Sequence, residues 1–168
     1  MILIAVGANL PNPRYGPPLA TCQAVLPALD RVGLNVVKVS QWYESAPVPA
    51  SSQPWYVNGV VALETKMDAM AVLDQLLALE EAFGRVRGQP NAARTLDLDL
   101  IAYDGQIISD SNADNPLILP HPRLHQRAFV LFPLADVAPG WHHPESGLSV
   151  TRMIEQLENP GAARVIRE

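Results

Sequence analysis

An α+β fold built on a mainly antiparallel sheet is the architecture this sequence predicts, from three observations. Strand-like and helix-like segments interleave in the order β-α-β-β-α-β. Residues 67–85, "MDAMAVLDQLLALEEAFGR", carry apolar stripes at helical spacing through Met70, Leu73, Leu76, Leu77 and Leu79 to Phe83. Residues 94–105, "RTLDLDLIAYDG", alternate with period two: Leu96, Leu98, Leu100 and Ala102 face one way, Thr95, Asp97, Asp99 and Ile101 the other.

Taken in order, "ILIAVG" (2–7) reads as a buried strand stopped by Gly7, Asn9 and Pro11. Residues 17–29 follow a helical pattern through Leu19, Cys22, Val25, Leu26 and Leu29, and Pro27 predicts a kink or early stop. "LNVVKVSQWYES" (34–45) reads as one strand, "APVPASSQP" (46–54) as a proline-rich loop, and "WYVNGVVALET" (55–65) as a further strand. Asp68 is the expected N-cap of the 67–85 helix and Gly84 its C-terminal stop. A loop covers 86–93, the aspartate strand follows, and Asp104-Gly105 predicts a hairpin into "QIIS". Residues 110–123 are read as a loop, 124–137 as a helix ended by Pro133, and 149–158 as a weak helix. At 168 residues the chain is expected to form one domain, 1–168, with 159–168 a frayed tail.

Composition narrows the function classes. The chain is 48% apolar and 17% charged with a net charge of −5, which fits a globular protein and disfavours a general nucleic-acid binder. A single cysteine, Cys22, excludes an internal disulfide. The N-terminal apolar run lacks the features of a signal peptide, and no stretch approaches a membrane span, so a cytoplasmic location without membrane partners is expected.

Two aspartates on one strand face repel and are poor strand formers. Asp97 and Asp99 therefore mark either a solvated face or a divalent-cation site, since side chains two apart on a strand lie roughly 7 Å from each other. Ten of the twelve basic residues are arginine, and Arg85, Arg87, Arg94, Arg123 and Arg127 fall near the aspartates. Arginine grips phosphate through a planar fork. The combination points to a metal–phosphate site, against the plainer alternative of helix-end and loop charges. His142 and His143 lack further ligands nearby and read as a solvated loop.

The motifs then converge on a family. "GANL" (7–10), "SQWYESAPV…QPWYVNGVVALET" (40–65), "GRVR" (84–87), "ARTLDLDLI" (93–101) and "LPHPRLHQRAFVLFPLADVAP" (119–139) resemble, in collinear order, the 6-hydroxymethyl-7,8-dihydropterin pyrophosphokinases of the folate pathway. The resemblance implies a ferredoxin-like three-layer α/β/α sandwich and the transfer of pyrophosphate from ATP to the pterin's hydroxymethyl group, releasing AMP. It implies that Asp97 and Asp99 hold two Mg²⁺ ions, with Arg85 and Arg94 also catalytic. It assigns Glu80, Arg85, Arg87, Arg94, Leu100, His121 and Arg127 to ATP, and Ser45, Ala46, Val48, Tyr56, Asn58 and Phe129 to the pterin. Partners would be the two small-molecule substrates, with no nucleic acid, membrane or obligate protein partner.

The pterin assignment also makes sense residue by residue. A flat ring edged with donors and acceptors needs aromatic faces and a group such as the Asn58 amide that donates and accepts at once. This chain departs from the family in "QPNAARTLD", which lacks a capping tryptophan, and at Pro122 and Leu77, where an aromatic and a polar contact are expected. Residues 85–93 are expected to be mobile and to close over bound ligands. A metal-dependent hydrolase or a non-catalytic ligand-binding module are the rival readings.

Overall fold

The computed structural model describes residues 1–86, 92–110 and 116–167. Its main sheet has the strand order β5-β1-β4-β3-β8, with β2 also on β4. The strands are β1 (Ile2–Ala8), β2 (Asn35–Val39), β3 (Tyr43–Ser45), β4 (Tyr56–Glu64), β5 (Asp97–Tyr103) and β8 (Ala163–Val165), all paired antiparallel. Strands β6 (Ile108–Asp110) and β7 (Leu117–Leu119) form a separate pair.

Each face of the sheet is covered by helices, because alternate residues of its central strands are apolar on both sides. Ile4, Val6, Val61, Leu63, Leu98 and Leu100 pack against α1 (Pro18–Arg31) and α2 (Ala69–Ala82). Leu3, Val60, Ala62 and Ile101 pack against α3 (Ala128–Val137) and α4 (Val150–Glu155). This is the three-layer, ferredoxin-like sandwich expected, and Asp68 caps α2 through a 2.9 Å bond from the Ala71 N–H.

Several local expectations are corrected. Segment 34–45 is two strands, because the chain bends at Ser40–Trp42, where Ser40 Oγ accepts from the Val60 N–H at 3.0 Å. Asp104 (φ 46) and Gly105 (φ 70) do make a tight turn, but "QIIS" does not return to β5: Ile108 pairs with Leu119 instead. The outer edge of β5 is already taken, by Glu80 at Leu98 N and by the His121 N–H at Ile101 O. Pro27 and Pro133 lie inside helices that run on to Arg31 and Val137. Their buried faces offset the lost backbone bond. Ala102 joins the α3-side core rather than that of Leu100, because a β-bulge shifts the register from Ile4↔Leu100 to Leu3↔Ala102. The chain's end is not frayed throughout, since β8 pairs with β3 and the Ile166 N–H bonds Trp42 O.

Candidate active site

The site spans the β5 edge of the sheet, one part of it on the α3-facing side and the other lined by residues of α2. Register places Gly7 of β1 opposite Asn58 on one neighbour and Asp97 on the other. A Cβ built at Gly7 would stand 3.5 Å from Asn58 Oδ1 and 4.0 Å from Asp97 Cβ, so the glycine keeps the space between them open.

That space belongs to a cavity of about 280 Å³ whose wall includes Ser45, Pro47, Val48, Tyr56, Asn58 and Phe129. Asn58 is buried and donates from Nδ2 to Ser45 Oγ at 2.9 Å, which fixes its amide. Ala46 is exposed and is not part of the wall, whereas Pro47, which the sequence reading passed over, is. A second, more open pocket of about 570 Å³ has Leu73, Leu77, Leu100, Pro116, Ile118 and Pro122 in its lining. The same pocket is also lined by Glu80, Arg85, Arg94, Asp97, Asp99 and His121. The two spaces meet at Arg94, Asp97, Asp99 and His121. Arg127 belongs to the first, with its guanidinium carbon 5.5 Å from the centre of the Phe129 ring. Arg87 lies outside the described residues, as does most of the 85–93 loop.

The C-terminus of α2 explains how Arg85 reaches Asp97. Gly84 takes φ +81, its N–H bonds Glu81 O, and the Arg85 N–H bonds Glu80 O. This Schellman cap turns the chain back over its own last turn. Arg85 Nη1 then pairs with Glu80 Oε1 and, at 2.8 Å, with Asp97 Oδ1. Arg94 Nη1 holds Asp97 Oδ2 at 2.5 Å. Glu80 Oε1 also accepts from Leu98 N at 2.7 Å, between the two aspartates, while its Oε2 is buried without a partner.

Asp99 differs. Among the described residues its carboxylate has no hydrogen bond or ion pair. Loss of solvent, then repulsion by Asp97, pushes its carboxyl up to about 6, although Arg127 and Arg94 oppose this. Burial pushes the Glu80 carboxyl up to about 7. Burial, then Arg127 and Arg123, lowers His121 to about 4, so its ring is neutral at pH 7. The His121 Nδ1 accepts from the Arg123 N–H at 3.2 Å, which leaves the proton on Nε2.

Asn9, read from sequence as a turn former and as part of the "GANL" motif but given no role in the site, is buried at 1% exposure and ties three segments together. Its Nδ2 donates to Gln53 Oε1 and Pro54 O, each at 3.1 Å, and its Oδ1 accepts from the Arg94 N–H at 2.8 Å. Its sequence signals are its place in that motif and its position directly after β1. Arg123 and Ile101 also line the first cavity.

The model of the 7,8-dihydro-6-hydroxymethylpterin-pyrophosphokinase family matches residues 3–139. The chain belongs to this pyrophosphokinase family. It is 40% identical to the 2-amino-4-hydroxy-6-hydroxymethyldihydropteridine pyrophosphokinase of Pseudomonas aeruginosa, over 86% of this chain and 84% of that one. It is 38% identical to the Synechocystis sp. enzyme of the same name, over 93% of this chain and 75% of that one. The solved Plasmodium falciparum HPPK-DHPS with pteroate superposes with a TM-score of 0.74 at 11% identity, over 99% of this chain. The match, which shows the fold alone, spans 48% of that longer chain. Membership makes the protein an enzyme, a transferase of the diphosphokinase class. Among the described residues no helix is long and apolar enough to cross a membrane.

Proposed function

We propose that this pyrophosphokinase carries out Mg²⁺-dependent transfer of pyrophosphate from ATP to the hydroxymethyl group of 6-hydroxymethyl-7,8-dihydropterin, releasing AMP, as a step of folate biosynthesis in the cytoplasm. The observation that carries this reading is the junction: an aromatic- and amide-lined cavity and an apolar-to-charged pocket share Arg94, Asp97, Asp99 and His121. A flat polar ring fits the first, between Tyr56 and Phe129 with its edge on Asn58, Ser45 and the Val48 loop. A nucleotide fits the second, its base among Leu77, Leu100 and Pro122 and its phosphates toward the arginines.

The donor set fits Mg²⁺. Asp97 and Asp99 share one face of β5, and the desolvated Asp99 carboxylate has, among the described residues, no hydrogen bond or ion pair, with Arg127 and Arg94 acting on it only through their field. Among the described residues no third His, Cys, Asp or Glu joins them, which suits a cation that keeps waters and takes its remaining ligands from substrate phosphates. Asp97 and Asp99 would hold two such ions, which when bound supply charge neutralisation at the phosphate oxygens. Arg85 and Arg94, both on Asp97 here, are then free to turn to the phosphate chain, joined by Arg127 and Arg87.

The rest is positioning. The pterin hydroxyl oxygen forms a bond to the β-phosphorus while the bond from that phosphorus to the α-β bridging oxygen breaks. AMP departs with that oxygen, and the hydroxyl proton is lost to the carboxylate pair or to water. Neutral His121 offers Nε2–H to a phosphate oxygen. The test is to incubate the protein with Mg-ATP and the pterin and to identify the nucleotide product. AMP with pterin pyrophosphate is expected. ADP, cleavage of a phosphodiester or no turnover would overturn the reading.

A further inference from the structure

We propose that Asn12 is a positioning residue for the transfer: by clamping the carbonyl of Phe83, the C-cap residue of α2, it holds the cap from which Arg85 is aimed at Asp97. The inference rests on the role given above to Arg85.

Residues 12–16, "NPRYG", close a small hairpin. The Asn12 N–H bonds Gly16 O at 2.7 Å, and the Gly16 N–H bonds Asn12 O at 2.8 Å. Gly16 takes φ +90, a conformation that strains other residues. The Asn12 side chain works in two directions. Its Oδ1 accepts from the Arg14 N–H at 2.9 Å and from the Tyr15 N–H at 3.3 Å, an Asx-type turn that shapes the hairpin. Its Nδ2 reaches 71 residues along the chain and donates to Phe83 O at 2.6 Å in a buried setting.

That carbonyl belongs to the C-cap residue of α2, one of the helix-end carbonyls with no partner within the helix. Asn12 supplies it. The Tyr15 ring stacks on the Phe83 ring at 4.5 Å between centres and 17° between planes, so the same hairpin grips the residue by backbone and side chain. The next two residues are Gly84, in the left-handed conformation, and Arg85, whose Nη1 lies between Glu80 and Asp97. A rotation about the Phe83–Gly84 junction would carry Arg85 away from Asp97, and beyond its two chain neighbours nothing lies within 4 Å of where a Gly84 Cβ would stand to resist it.

The far side of the 84–94 connection is held from the same segment. The Asn9 and Leu10 N–H groups both bond Arg94 O, at 3.0 and 3.1 Å. The stretch 9–16 thus fixes both of the arginines that converge on Asp97, one through Asn12 and one through Asn9 and Leu10. No part of this clamp was visible in the sequence beyond turn-forming residues.

The experiment is a double-mutant cycle between Asn12 and Arg85, read in steady-state kinetics with Mg-ATP and pterin. Asn12→Asp keeps the Oδ1 acceptor that shapes the hairpin and removes the Nδ2 donor. It should lower kcat/KM for ATP by about tenfold while leaving the pterin dissociation constant unchanged. In an Arg85→Ala background the same change should cost little further, because the group it positions is gone. Tyr15→Leu, which leaves every Asn12 bond in place, should reproduce the pattern with a smaller loss and serves if Asn12→Asp does not fold. An equal loss in both backgrounds would mean a general structural role and overturn the proposal. So would Asn12→Asp and Tyr15→Leu variants as active as the unaltered enzyme beside an impaired Arg85→Ala, an outcome that leaves the proposed function standing. Full activity of Arg85→Ala would overturn the proposal together with the role of Arg85.

Discussion

Asp97 and Asp99 stand two residues apart on one strand face, yet their surroundings differ. Both oxygens of Asp97 are held by arginines, whereas Asp99 is desolvated and unpaired among the described residues. Asp97→Ala and Asp99→Ala should each nearly abolish pyrophosphoryl transfer with the far-UV spectrum unchanged, since metal-assisted charge stabilisation is worth several kcal/mol. Near-normal turnover of either variant at ordinary Mg²⁺ would contradict the metal assignment. Glu80 carries a pH dependence of its own. Its carboxyl rises from the ordinary 4.5 to about 7 through burial, so the folded protein holds the proton more tightly than the unfolded chain. Its contribution to stability is fully present below pH about 4.5 and is lost as pH rises through about 7, by an amount on the order of 3 kcal/mol. In metal-free protein, Glu80→Gln should therefore flatten the denaturation midpoint against pH over that window. A steeper fall in the variant would refute the sign.

At the scale of the element, β4 shows how one small residue sets a packing arrangement. A Cβ built at Gly59 would meet the Trp42 ring at 2.6 and 2.7 Å, closer than real side chains approach. Trp42 is only partly buried and packs on the α1/α2-side core, so the ring must swing outward to admit a methyl group. Gly59→Ala should destabilise the protein by about 1–3 kcal/mol and shift the tryptophan emission to longer wavelength. An unchanged denaturation midpoint would mean that the strand moves instead of the ring. The odd-numbered residues of β4 serve this face, whereas Tyr56 and Asn58 serve the other. The period-two alternation of a strand is thus what separates core from site.

For the whole molecule, the consequence of two cavities sharing four side chains is coupling between their ligands. On the function proposed above, a nucleotide with its metal would neutralise the carboxylates and draw Arg94 toward phosphate, and both changes would remake the wall that the pterin meets. Binding of a non-hydrolysable Mg-ATP analogue should tighten pterin binding about fivefold or more, and by linkage the pterin should tighten the analogue by the same factor. Calorimetry in both orders of addition measures it; identical pterin affinity with and without the analogue would show the sites to be independent.

Local chemistry was legible in the sequence wherever its cause lies within a few residues. The shared face of Asp97 and Asp99 follows from strand period, the Asp68 cap and the Gly84 stop from helix-end chemistry, and the interleaved order of strands and helices from apolar periodicity. What only the tertiary structure decided depends on partners far along the chain. The β-bulge that moves Ala102 to the other core answers to β1, and the strand at 163–165 exists because β3 offers an edge. Pro27 and Pro133 are carried through their helices by packing that a propensity cannot contain. Asn9 and Asn12 look alike as turn residues, and they differ from ordinary ones only through bonds to Gln53, Arg94 and Phe83. Such bonds are set by where the folded sheet brings three loops together. A sequence read residue by residue holds no record of that distance.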